Sequence, residues 1–214
     1  MVAWCLWQRR NRLREHQHTW QLHEIGNKAK ELVQEFWDVH HKEPQVLDQQ
    51  PHVRWSLPPV ISYKANFDAA LFEGTNQVGI GVVFRDHARN VMAALSQRVD
   101  SIKLVEVAKS LTARRAVVFA RELSLFEVII EGDYLCLIQA LQGSGRCNTL
   151  FGHITNETKR LGGLLRHCHF QHVQQEGNRL AHGLARRAVL AVDTDVWVED
   201  LPSDLDDVFQ TDLP

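Results

Sequence analysis

Two aspartates stand at positions where a carboxylate could hold a metal ion. Asp68 lies in the middle of the apolar run 65–71, and Asp133 follows the β-rich run 127–131. An ionised carboxylate inside a buried strand is costly unless a cation or a partner charge compensates it. Both residues are therefore candidate ligands of a divalent cation. The alternative for Asp133 is a helix N-cap, a position that aspartate favours.

The elements that must carry these aspartates follow from the hydrophobic periodicity. Alternation from Ile61 to Leu71 predicts a first strand, and two further strands are predicted over 78–84 and 91–97, separated by short turns. Three consecutive strands with short turns indicate an antiparallel meander. The remaining pattern predicts a helix over 103–123, a strand over 127–131, a helix ending at 141, a helix over 150–161, a strand over 166–173 and a helix over 178–190.

This order of elements predicts an α/β fold with a mixed five-stranded sheet. The sheet combines the antiparallel three-strand meander with two parallel strands and has helices on both faces. If the first and fourth strands are neighbours, Asp68 and Asp133 project at one end of the sheet, where open α/β sheets place their sites. A divalent-metal site at that end is the expectation.

Several motifs in this chain occur together in one known family. They are Lys64–Ala70, Gly79–Asp86, Glu131–Asp133, Asn178–Ala185 and Val196–Pro202. In combination they resemble the RNase H-type domain of plant non-LTR retrotransposon polyproteins and their host-encoded relatives, over about residues 55–212. Residues 1–41 resemble, more loosely, the helical segment that precedes this domain.

The resemblance implies an RNase H-like fold and a metal-dependent endonuclease that cleaves the RNA strand of RNA/DNA hybrids. In that family four acidic positions hold two divalent ions, Mg²⁺ or Mn²⁺, which lie only ~4 Å apart and so need a dense carboxylate cluster. Asp68 and Asp133 match two of the four acidic positions.

The sequence departs from the family at the glutamate of the first long helix, where Lys109 stands. Glu106 lies one turn earlier and is displaced along the helix axis by ~4.5 Å, which is too far for a clean replacement. A stripe of small residues at helical spacing from Lys109 predicts that this helix face packs on the sheet, so that Lys109 points toward the site. The stripe is Thr112, Ala113, Ala116 and Ala120. The alternative is a surface lysine near the start of a helix.

His182 stands at the fourth acidic position of the family. It could ligate a metal or move a proton, or it could be a histidine on the helix surface. The predicted catalytic set is thus Asp68, Asp133 and His182, with Lys109 at the glutamate position. Since an ammonium opposes cation binding, we expect Mg²⁺ or Mn²⁺ to bind weakly and at one position, and the nuclease activity to be impaired.

The expected partner is an RNA/DNA hybrid or another duplex nucleic acid, without a small-molecule cofactor and without a membrane. Residues 193–214 hold eight of the 26 acidic residues and no Lys or Arg, which leaves 18 acidic against 24 basic residues in the remainder. That excess of positive charge is compatible with a polyanion. Two alternatives stay open: a non-catalytic module that binds nucleic acid or protein, and a retroelement remnant without a maintained function.

The chain divides by composition into four segments. The first two are a helical extension over 1–41, with one helix over 22–37, and a linker over 42–60 with four prolines. The last two are the RNase H-like domain over 61–192 and an acidic tail over 193–214. The packed part of the domain is expected to begin near Trp55. No run of apolar residues has the length of a membrane helix. The apolar start of the chain is short and is followed by arginines, which is the wrong order for a signal peptide. We therefore expect an intracellular protein, in the nucleus or the cytoplasm.

A cluster of histidines and a cysteine near residue 170 has the composition of a zinc site. Strand alternation sends His167 and His169 to one face and Cys168 and His172 to the other, which argues against zinc. The four cysteines of the chain form no CxxC pair and are expected to be free thiols.

Overall fold

Two compact units make up the chain, Met1–Pro51 and His52–Pro214. In the computed structural model the residues described are 2–31, 55–72, 74–145, 147 and 149–211. Within these ranges no helix is both long and apolar enough to cross a lipid bilayer.

The N-terminal unit contains helix α1, Val2–Arg14, and a second helical stretch over residues 25–31. Its buried cluster is formed by Cys5, Ile25 and Ala29. The helix predicted over 22–37 begins with a 3-10 turn, Leu22–Glu24, and continues as the helix over 25–31, while its part beyond residue 31 lies outside the described residues. Most of the predicted linker, residues 42–54, also lies outside them.

The C-terminal unit is built on a six-stranded sheet with the order β5-β4-β1-β2-β3-β6. Its strands are β1 Tyr63–Phe72, β2 Gln77–Arg85, β3 Val91–Asp100, β4 Glu127–Gly132, β5 His167–His172 and β6 Thr194–Val198. Strands β1, β2 and β3 form an antiparallel meander, while β4 pairs parallel with β1 and β5 pairs parallel with β4. The predicted α/β class, the meander and the two parallel strands are confirmed.

The sixth strand corrects the five-strand prediction. β6 pairs antiparallel with β3, from Ala93↔Val198 to Gln97↔Thr194, so the acidic segment contributes an edge strand and is not a free tail. The indole of Trp197 in β6 packs against a buried cluster of the domain and lies 5.5 Å from the Arg187 guanidinium. This strand was not predicted because it is only five residues long, is flanked by carboxylates and has a weak hydrophobic pattern.

Helices cover both faces of the sheet, as expected. They are α2 Val105–Glu122, α3 Leu135–Gln142, α4 Gly152–Gly162, α5 Arg179–Arg187 and α6 Asp206–Thr211. Helices α2, α3 and α4 enclose the larger core with Phe67, Phe84 and Leu95. Helix α5 covers the opposite face, where Leu180 and Leu184 pack against Val83.

The domain starts earlier than residue 61. Trp55 is 2% exposed, and its ring stacks on the Arg85 guanidinium of β2 at 3.7 Å. The Lys64 ammonium of β1 donates hydrogen bonds to the carbonyl oxygen of Ser56 at 2.6 Å and to its hydroxyl at 3.1 Å. Residues 55 and 56 therefore pack as part of the same domain as β1 and β2.

Candidate functional site

The strand register places Asp68 and Asp133 at the same end of the sheet. β4 pairs with β1 only from Tyr63↔Val128 to Asn66↔Glu131, so β1 continues beyond the end of β4. Asp68 lies just past the last pair, and Asp133 is the first residue after β4. The parallel arrangement of two neighbouring strands thus brings the two carboxylates to one place.

Lys109 of α2 lies between these carboxylates. Its Nζ atom is 2.5 Å from Oδ1 of Asp133 and 3.2 Å from Oδ1 of Asp68. The helix face that carries it packs on β1 through the predicted small residues, which are all buried: Thr112, Ala113, Ala116 and Ala120. Lys109 therefore points into the site and is not a surface lysine, whereas Glu106 is exposed.

The Lys109 ammonium is held in its charged form by its two partners. Burial alone would lower the pKa of this group, but the negative charge of Asp68 and the hydrogen bond to Asp133 outweigh it, and the pKa lies above its ordinary value. At neutral pH the site thus contains a fixed positive charge between two carboxylates.

His182 completes the cluster from the opposite face of the sheet. A hydrogen bond of 2.7 Å joins its Nδ1 to Oδ2 of Asp68. Helix α5 can approach this closely because Gly81, the residue of β2 that pairs with Asp68, has no side chain. A Cβ atom at Gly81 would lie 2.2 Å from the carbonyl oxygen of Ala181. The glycine is therefore a packing requirement for the contact between His182 and Asp68.

Asp133 is not the helix cap that its position allowed. Helix α3 begins after Tyr134, which is its N-cap residue and whose side chain makes no capping hydrogen bond. The Asp133 carboxylate instead accepts the hydrogen bond from Lys109, and its carbonyl oxygen lies 3.2 Å from Nε2 of His172, at the end of β5. His172 is thus a neighbour of the site that the sequence did not assign to it.

A buried polar network that the sequence analysis did not assign adjoins the site. Oε1 of Glu131 lies 2.9 Å from the Lys64 ammonium, and Oε2 of Glu131 accepts a hydrogen bond from the side-chain amide of Asn66 at 3.2 Å. Nη2 of Arg85 donates to Oδ1 of Asn66 at 2.8 Å. Burial raises the pKa of Glu131, and the charge and hydrogen bond of Lys64 oppose that rise. All four side chains are nearly or fully buried.

This network holds β1 and β4 together at the end of their shared ladder, next to the site. Asn66 and Glu131 form the last pair of the β1–β4 ladder, and each lies two residues before an aspartate of the cluster. Their hydrogen bond therefore ties the two strands together immediately before they separate. The sequence feature that could have indicated this network is the polar side of β1, together with the charged residue at the end of β4.

The histidines of β5 are arranged as alternation predicts. His167 and His169 are exposed, while Cys168 packs against the larger core. Burial raises the pKa of the Cys168 thiol to about 12, which disfavours the thiolate that zinc requires. All four cysteines are free thiols, in agreement with the expectation.

The cluster does not fit a pair of divalent ions. Such a pair requires several carboxylates around each cation. Here Asp68 and Asp133 already share one ammonium, and the second oxygen of Asp68 is engaged by His182. The residues present form an Asp68–Lys109–Asp133 bridge, in which one ammonium partly offsets the charge of two carboxylates, and which we call the lysine bridge.

The fold resembles solved RNase H structures. RNase H1 from the archaeon Halobacterium salinarum NRC-1 is 18% identical, with a TM-score of 0.55, and the match covers 60% of this chain and 97% of that one. The N-terminal RNase H domain of a Mycobacterium tuberculosis protein is 17% identical, with a TM-score of 0.54 and coverage of 59% and 92%. LC11-RNase H1 in complex with an RNA/DNA hybrid is 20% identical, with a TM-score of 0.52 and coverage of 60% and 99%.

The mixed sheet with helices on both faces therefore defines an RNase H-like domain. Residues 66–188 match the family model described as reverse transcriptase-like, which spans more than half of the chain. The chain belongs to this reverse transcriptase-like family. No curated protein sequence gives a significant match.

Proposed function

We propose that this RNase H-like domain binds RNA/DNA hybrid or a related duplex nucleic acid, and that it descends from a metal-dependent endonuclease whose cleavage is impaired by Lys109. The observation that carries the proposal is the lysine bridge, in which one ammonium contacts both Asp68 and Asp133. With this charge in place we expect Mg²⁺ or Mn²⁺ to bind weakly and at one position. Its ligands would be Asp68 and Asp133, with His182 assisting.

Binding of nucleic acid is supported by the fold and by charge. One of the similar structures is an RNase H1 with an RNA/DNA hybrid, and the chain without residues 193–214 has more basic than acidic residues. A cation that is built into the site also reduces the repulsion between the two carboxylates and a phosphate backbone. The lysine bridge is therefore compatible with binding even where cleavage is lost.

The proposed origin is a plant non-LTR retrotransposon polyprotein or a host-encoded relative of one. The motifs around Asn178–Ala185 and Val196–Pro202 support this finer assignment. The second candidate function is a non-catalytic module that binds nucleic acid or protein, and the ammonium that occupies the space between Asp68 and Asp133 favours it over an active nuclease.

Salt dependence tests the binding. We expect the purified protein to bind an RNA/DNA hybrid with little sequence preference and with an affinity that falls steeply as salt rises, because phosphate neutralisation dominates such contacts. The exposed Arg179 lies one turn before His182 in α5, so Arg179→Gln should lower the slope of log affinity against log salt by about one. Fluorescence anisotropy with a labelled hybrid measures both quantities.

The matched control is Arg121→Gln, which removes the same charge from an exposed position in the last turn of α2. It should leave the slope nearly unchanged. Absence of binding at low salt by a folded protein would contradict nucleic-acid binding and favour the protein-interaction module. Equal effects of the two substitutions would show that binding does not use the face around His182.

A further inference from the structure

A groove of about 650 Å³ lies between the β2–β3 turn, the residues after β6 and helix α6. Its apolar lining includes Met92, Leu201 and Phe209. Leu201 also belongs to the core beneath α5, and Phe209 packs against that core. Carboxylates of Glu199, Asp200 and Asp206 line it as well, together with Arg89 as the basic residue of the lining. A groove of this volume, with walls that are partly apolar and partly charged, is large enough to bury side chains of a ligand.

We propose that this acidic groove is a docking site for a basic, apolar segment of a partner protein. One or two large apolar side chains of the segment would contact Met92 and Phe209, and flanking Lys or Arg residues would contact Glu199 and Asp206. Electrostatic complementarity of this kind selects the partner and raises the rate of association.

The carboxylates of the groove differ in their availability. Asp86, also in the lining, accepts hydrogen bonds from the backbone N–H groups of Ala88 and Asn90, both at 2.8 Å, and is thereby committed to its own turn. Within the described part of the chain, Glu199 and Asp206 have no ion-pair partner, and both are exposed. These two groups can therefore pair with the cations of a ligand.

The position of the groove excludes duplex nucleic acid as its occupant. Arg85 is the last residue of β2, just before the β2–β3 turn, and it pairs with Lys64 near the start of β1. Asp133 follows the C-terminal end of β4, which runs parallel to β1, and therefore lies at the opposite end of the sheet. The groove thus lies at the end of the sheet away from the lysine bridge. Its carboxylates would repel phosphates, so the docking site and the proposed nucleic-acid face are separate surfaces.

The test uses the full chain and synthetic peptides. The first peptide carries Leu and Lys at helical spacing, the second has Ser in place of Leu, and the third has Glu in place of Lys. We expect only the first to bind measurably by calorimetry. The double substitution Glu199→Gln with Asp206→Asn should weaken that binding about fivefold, because two exposed ion pairs are lost.

The matched control is Asp193→Asn with Asp207→Asn, which changes the net charge equally at exposed positions outside the groove. Affinity for the first peptide should stay unchanged in this variant. Equal weakening in both variants would overturn the proposal, because binding would follow net charge alone. Absence of binding, or equal binding of the second or third peptide, would also overturn it. Circular dichroism verifies that each variant is folded.

Discussion

Lys109→Glu is expected to raise Mg²⁺-dependent cleavage of an RNA/DNA hybrid by orders of magnitude over the unmodified protein, which should cleave very slowly or not at all. The substitution replaces the ammonium of the lysine bridge with a carboxylate on the same helix face. Asp68, Asp133 and the new glutamate would then surround one position, with His182 beside them. Activity is thus expected to be limited by charge and not by the fold. A labelled hybrid and a gel-based cleavage assay measure the effect.

Two further variants separate charge removal from carboxylate addition. Lys109→Gln removes the ammonium without supplying a carboxylate and should give little cleavage, while Asp68→Asn in the Lys109→Glu background should abolish the gain. Robust cleavage by the unmodified chain that Lys109→Glu leaves unaffected would contradict the prediction. In that case Glu106 or another acid would have to complete the site.

Lys64→Met is expected to destabilise the domain by about 3 to 5 kcal/mol. The substitution removes the ammonium that lies 2.9 Å from Glu131 and leaves a carboxylate of 3% exposure with only the charge of Arg85 to compensate it. Breaking a buried ion pair on one side is costly because the remaining charge stays desolvated. Urea unfolding, followed by circular dichroism, gives the free energy of unfolding.

The double variant Lys64→Met with Glu131→Gln should recover much of this loss, because the glutamine can still accept the hydrogen bond from Asn66 and carries no charge. Lys103→Met is the matched control at an exposed position and should change stability by less than about 0.5 kcal/mol. A Lys64→Met variant as stable as the control would show that the network contributes nothing to the fold.

The sequence predicted those features that rest on periodicity. Alternation in β1 separates the core residues from Asp68, and the small-residue stripe of α2 gives the direction of Lys109. The parallel pairing of β1 with β4 was only a condition in the sequence analysis, and the sheet now meets it and brings Asp133 to the same end. Residue type and spacing therefore gave the direction of Asp68 and Lys109, whereas the meeting of Asp133 with them depended on the neighbourhood of β1 and β4.

The partners of buried polar groups could not be predicted in the same way. Alternation placed Lys64 and Asn66 on one side of β1, but it could not show that Glu131 and Arg85 reach them from two other strands. The role of Trp55 was also hidden, because the neighbouring prolines gave the segment the composition of a linker. Such contacts depend on strand order and register, which become known only with the complete sheet.

The lysine bridge is tested most directly by titration of the unmodified protein with Mg²⁺ and Mn²⁺ in a calorimeter, under a salt that does not compete. The ammonium between Asp68 and Asp133 predicts weak binding at no more than one position, and Lys109→Gln should strengthen it because the competing charge is gone. Two tight divalent sites in the unmodified protein, unaffected by Lys109→Gln, would contradict the account.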